Sequence, residues 1–242
     1  MERKPYIWSD LFQGNWELFA DAVRNPETVF VYDIDGILVY SAKPVLKKFS
    51  DENGIATDPT KINGWSYLTC LAKAAGWPAE RIEHAEDGWY NPQVLLTARK
   101  YLYIKPVVLK TIGLSGVERN HVLTSRNPGL RNSTLKLVGR EFPEILSGNI
   151  MIRDNDADPA EFKGRCLWRL AKTAPWVVFI DDAPDFIKSA LNLKIANLVA
   201  VNIPQGAVLP DFSDDRLVVI KRYPENLQAM YPLLDAVERA TR

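Results

Sequence analysis

The sequence predicts a doubly wound α/β protein, a largely parallel sheet with a small helical cap inserted after its first long strand. Three observations lead there. The run VFVY at residues 29–32 passes straight into acids, which suits a strand buried on both faces of a sheet. From about residue 118 short apolar runs alternate with helical patterns, the rhythm of right-handed β-α-β crossovers. Residues 41–112 carry helical patterns and no convincing strand, so they interrupt the sheet rather than extend it.

Taken in order, residues 9–24 place Leu11, Trp16, Phe19 and Val23 at near-helical spacing, and the strand of VFVYDIDGILV follows. Within the insertion, Pro44 sits at a helix start and Gly54 lies past its end; a second helix, WSYLTCLAKAAG, stops at Gly76. Strand HVLTS (121–125) precedes helix LRNSTLKLVGR, and strand NIMIRD (149–154) precedes helix PAEFKGRCLWRLAK. That helix has Asp158 as N-cap, Pro159 at its first position and Glu161 at its third. Strand WVVFIDD, helix PDFIKSALN, strand NLVAVNI and strand RLVVIKR come next. A last helix presents Leu227, Met230, Leu234 and Val237 on one face. The expected organisation is therefore a core of residues 1–40 and 113–242 and a cap of residues 41–112.

The chain's 242 residues suffice for one large domain with an inserted smaller one. Its 30 basic and 30 acidic side chains cancel, which gives no support to nucleic-acid or membrane binding. Cys70 and Cys166 lie far apart in helical patterns, forming neither a disulfide framework nor a zinc motif. The N-terminus lacks the apolar core of a signal peptide, and no run approaches the roughly 20 apolar residues of a membrane span. The expectation is a soluble cytoplasmic protein of undetermined oligomeric state.

In an open parallel sheet, ligands bind beyond the carboxyl ends of the strands. There the sequence places Asp33 and Asp35 after the first strand, Thr124, Ser125 and Arg126 after the second, and Asp181, Asp182 and Asp185 near the end of WVVFIDD. Lys163 opens the preceding helix. Buried acids at this density call for a cation, and hard oxygen ligands with few competing nitrogens suit Mg²⁺. Such a set can run phosphoryl transfer: one carboxylate attacks phosphorus, a second moves protons, and a hydroxyl and an ammonium hold the phosphoryl oxygens.

At these residues the sequence resembles the haloacid dehalogenase-like superfamily. VFVYDIDGILV is similar to its first motif, HVLTS to its second, the helix of Lys163 to its third and VVFIDDAPD to its fourth. The resemblance spans about residues 28–40 and 118–205. It implies Asp33 as nucleophile, Asp35 as general acid/base, and Thr124 and Lys163 as the phosphoryl-holding pair. It further implies Mg²⁺ on Asp33, Asp182 and the backbone carbonyl of Asp35, with Asp181 in the inner or outer shell and Asp185 open. Gly36, Ser125 and Arg126 are the expected substrate contacts. Ile37 departs from the Thr that often follows Asp-Gly in that motif. The order of motifs excludes a bacterial receiver domain, because Asp154 ends its strand after Thr124 rather than before it.

The expected activity is hydrolysis of a small phosphomonoester, a nucleotide among the candidates, through an aspartyl-phosphate. A phosphomutase, a polynucleotide end phosphatase and a non-catalytic interaction protein are the alternatives. A dehalogenase would have no use for an acid/base at Asp35. Simpler readings are weighed against these: Asp33 and Asp35 as turn formers, Thr124 as a plain strand residue, Lys172 in place of Lys163, Arg126 on the surface. In the cap, Trp65, Tyr67, Trp89 and Tyr90 read as small-domain core before substrate platform. Arg99, Lys100 and Lys105 read as a solvated face.

Overall fold

Alternate residues of VFVY face opposite ways, and both sides are covered. Phe30 and Tyr32 join one apolar cluster, while Val29 and Val31 join another. The computed structural model describes residues 8–58, 61–62, 66–154, 157–205, 209–222 and 229–242. Its strands are β1 Phe12–Gly14, β2 Val29–Tyr32, β3 Asn120–Thr124, β4 Ile150–Ile152, β5 Val177–Asp181, β6 Leu198–Asn202 and β7 Leu217–Ile220. Its α-helices begin with α1 Trp8–Leu11, α2 Trp16–Arg24, α3 Ala42–Asn53, α4 Tyr67–Ala74, α5 Ala79–Ile82 and α6 Pro92–Leu96. They continue with α7 Ile104–Ser115, α8 Arg131–Glu141, α9 Pro159–Ala171, α10 Pro184–Asn192 and α11 Tyr231–Ala240.

The sheet order is β1-β7-β6-β5-β2-β3-β4. All neighbours are parallel except β1, which runs antiparallel to β7 with Phe12 opposite Ile220. Helices α2, α7, α8 and α11 cover one face through residues such as Phe19, Val107, Leu137 and Leu233. Helices α9 and α10 cover the other through Phe162, Leu167, Ile187 and Leu191. This is the predicted doubly wound sheet, parallel but for one edge.

That edge corrects the sequence reading, which expects one helix over 9–24. Residues 12–14 are extended instead, and the helix restarts at Trp16. Gly14 has φ +112°, and a Cβ there would run into the Leu217 carbonyl of β7. Asn15 then caps α2 by accepting from the Leu18 amide at 3.1 Å. At the C-terminal helix Met230, its N-cap residue, and Val237 are buried and Leu234 is half-buried against the same core, while Leu227 lies outside the described residues.

The inserted stretch builds a cluster of its own from Val45, Leu46, Phe49, Tyr67, Leu68, Ala72, Trp89 and Leu95. Ala98, Tyr101, Ile104, Val107 and Val108 belong instead to the sheet's cluster. These residues, grouped with the insertion by sequence, are thus packed with the sheet. Lys100 and Arg99 pair with the buried Glu141 at 3.1 and 3.4 Å, so they compensate an acid rather than form only a solvated face.

Candidate active site

The loops at the carboxyl edge of the sheet carry the expected acids. The Asp33 amide donates to the Ile180 carbonyl at 2.9 Å, which extends the β2–β5 ladder one residue and fixes Asp33 beside the end of β5. Asp33 is buried, as are Thr124, Arg126, Lys163 and Asp181. Helix α9 is anchored by Asp158, whose Oδ1 accepts from the Ala160 and Glu161 amides at 2.9 Å each. One turn on, Lys163 Nζ donates to Asp33 Oδ1 and to Asp181 Oδ2, both at 2.6 Å. Its rival in the sequence reading, Lys172, is exposed and lies 3.2 Å from the centre of the Trp168 ring. The other Asp181 oxygen accepts from the Ala183 amide at 2.9 Å, and Asp182 Oδ2 accepts from Gln205 Nε2 at 2.6 Å.

One ammonium therefore serves several acids in a dry place. Burial raises the Asp33 carboxyl well above its ordinary range; Lys163 opposes the rise, and the charges of Asp181, Asp35 and Asp182 add to it. Burial, with Asp181 beside it, pushes Asp182 up to about 7. One oxygen each from Asp33, Asp181 and Asp182 lie within 4.8 Å of one another. Three hard oxygens around an excess of buried negative charge fit a divalent cation such as Mg²⁺. The trio brings both adjacent acids, Asp181 and Asp182, to Asp33. Asp185 stands exposed in the first turn of α10 and is outside the trio, as is the Asp35 carboxylate.

Asp35 has a different partner. Arg126 grips it with a fork, Nε to Oδ2 at 2.8 Å and the second guanidinium nitrogen to Oδ1 at 2.7 Å. The guanidinium also donates to Thr134 Oγ1 at 3.2 Å. Burial alone would raise the Asp35 pKa, but the Arg126 charge and its hydrogen bonds outweigh it and hold the carboxyl below its ordinary value. Arg126, expected to meet a substrate anion, is thus engaged by the neighbouring acid. Thr124 ends β3 at the same edge, and its hydroxyl accepts from the Arg126 amide at 3.3 Å. Ser125 is half-buried and lines the cleft. Gly36 has φ +84°, and a Cβ there would overlap the Asp182 carboxylate and the Gln205 amide. A glycine is needed there for both reasons.

Above these groups lies a cleft of about 470 Å³. Its floor includes Asp33, Asp35, Ser125, Arg126, Asp181 and Asp182; Ile62, Trp89, Tyr90 and Leu95 form its apolar side. Tyr67 and Trp89 are indeed small-domain core, whereas Tyr90 is 46% exposed and faces the cleft. Trp65 lies outside the described residues. Sequence reasoning missed Gln205, which holds Asp182, and Arg222, which donates to the Gly36 and Ile203 carbonyls and so fixes the loop after β2. It also missed Arg153, at the end of β4 on the cleft wall. Reading the ends of β4, β6 and β7 as closely as those of β2, β3 and β5 would have flagged all three.

No family model and no curated protein matches this chain. Solved structures do. A haloacid dehalogenase-like family hydrolase from Streptococcus pneumoniae aligns with TM-score 0.56 and 15% identity over 82% of this chain and 95% of its own. Protein tyrosine kinase A of Mycobacterium tuberculosis aligns with TM-score 0.59 and 20% identity over 88% of this chain and 98% of its own. Identities this low speak for architecture alone. With its inserted helices and its acids on the carboxyl edge, the chain has the haloacid dehalogenase-like fold.

Proposed function

We propose that this chain is a Mg²⁺-dependent phosphatase of small phosphomonoesters that works through an aspartyl-phosphate on Asp33. The observation that carries the reading is the buried Asp33, with Lys163 on its Oδ1 and a second, separately held carboxylate, Asp35, two residues on. No described donor reaches the other Asp33 oxygen, which is free to attack phosphorus. As the bond from Asp33 to phosphorus forms, the bond to the leaving oxygen breaks, and that oxygen takes its proton from Asp35. Water then attacks phosphorus and gives a proton back to Asp35, which frees phosphate and restores the Asp33 carboxylate.

Lys163 keeps Asp33 oriented, and Thr124 lies at the strand end where a phosphoryl oxygen would be held. When bound by Asp33, Asp182 and Asp181, Mg²⁺ would neutralise charge on the phosphoryl group. Arg126 favours the ionised Asp35 that accepts the proton from water; delivery to the leaving oxygen requires that fork to open. The cap side of the cleft offers no basic side chain among the described residues, which supports a small substrate over a polynucleotide. Hydrolysis of p-nitrophenyl phosphate, with and without Mg²⁺, tests the reading against Asp33→Asn. Turnover should require the metal and fall by orders of magnitude in the variant; undiminished turnover in Asp33→Asn would overturn it.

A further inference from the structure

Two arginines line the cleft, and they differ in how far their charge is used. Arg126 is neutralised by the Asp35 fork. Arg153 makes no ion pair among the described residues, although it stands on a wall that also carries Asp158. One of its terminal nitrogens donates to the Ala157 carbonyl at 2.8 Å, which tethers the guanidinium to the residue before the α9 N-cap. Its Nε is buried with no hydrogen-bond partner among the described residues.

The sheet register locates this guanidinium. Ile152 pairs with Thr124, and β3 lies between β4 and β2, so Arg153 stands one residue beyond the level of Thr124 and two strands from Asp33. Two strand spacings amount to about 10 Å between backbones, too far for the two residues to crowd one group and near enough for one small molecule to touch both. Lys163 and Thr124 already lie nearer to Asp33 for the transferring phosphoryl group.

We propose that Arg153 is the anchor for a second anionic group of the substrate, a carboxylate or a second phosphate on a short chain from the phosphoryl being cleaved. This rests on the phosphatase reading and narrows its substrate class to phosphomonoesters with a second acid. A planar guanidinium on the cleft wall, tethered at one terminal nitrogen and with the other unpaired among the described residues, presents donors suited to a carboxylate or phosphate. The apolar side made by Ile62, Trp89, Tyr90 and Leu95 would enclose the connecting carbons.

Calorimetric titration tests the proposal without turnover. Phosphonoacetate, 3-phosphonopropionate and 4-phosphonobutyrate are each compared with the alkylphosphonate of equal chain length, on the wild type and on Arg153→Gln. At least one of the acids should bind about tenfold more tightly than its alkyl partner, and Arg153→Gln should erase that advantage while leaving alkylphosphonate affinity unchanged. Equal affinities in the wild type, the absence of any binding included, would overturn the proposal, and so would an advantage that survives in Arg153→Gln. Parallel assays on 2-phosphoglycolate and ethyl phosphate separate the two ideas. A binding advantage with no hydrolysis of either ester leaves the anion anchor standing and removes the phosphatase reading. Hydrolysis of both with equal kcat/KM removes the anchor and keeps the phosphatase.

Discussion

Asp33 and Asp35 are two residues apart and live in opposite fields. Burial and neighbouring acids raise the first, while Arg126 lowers the second despite burial. Two carboxyls pushed apart in this way are equipped for different tasks. The fork also stabilises the fold. Arg126→Met leaves Asp35 unpaired and should cost about 2–4 kcal/mol in urea unfolding at neutral pH. The Asp35 pKa is depressed in the folded state, so its contribution is present above the ordinary carboxylate value of about 4 and is lost as pH falls through the lower folded value. The gap between wild type and Arg126→Met should therefore narrow as the pH of the measurement drops below about 4. That Arg126 would seek Asp35 was not legible in the sequence, because they are 91 positions apart. Lys163 was legible, because a helix start facing the strand ends places its ammonium there.

At the scale of elements, strands that end in polar residues after apolar runs were read correctly. The error at residues 12–14 has a local cause: three residues are too few to show a strand period, and Leu11, Trp16 and Phe19 mimic a helical one. Only the tertiary pairing of Phe12 with Ile220 makes that stretch a strand. Packing also assigned α7, which no sequence signal separates from the helices of the insertion. The cap of α9 is a better-behaved case, since Asp158, Pro159 and Glu161 announce it and the structure bears it out. Asp158→Ala should cost about 1 kcal/mol, seen as a lower urea midpoint with an unchanged slope. Because α9 carries Lys163, the same variant should also slow p-nitrophenyl phosphate hydrolysis several-fold.

For the whole molecule, the excess of buried acid links stability to metal and pH. With its pKa pushed up to about 7, Asp182 resists ionisation in the folded state. Without a divalent ion, its contribution to stability is greatest in acid and declines as pH rises from about 4 to about 7. Mg²⁺ binding requires ionised ligands, so saturating Mg²⁺ should raise Tm by about 5–10 °C above pH 7 and by much less near pH 5.5. Asp182→Asn should abolish most of the metal response; an equal gain at both pH values would place the ion elsewhere. Described helices include none long and apolar enough to cross a membrane.

The central claim is a covalent phosphoryl group on Asp33, and acid-quenched turnover read by peptide mass spectrometry tests it most directly. With Mg²⁺ and an excess of p-nitrophenyl phosphate, the peptide containing Asp33 should gain the mass of one phosphoryl group, and Asp33→Asn should show none. Steady turnover with that peptide unmodified, or with the phosphoryl group on another residue, would contradict the account.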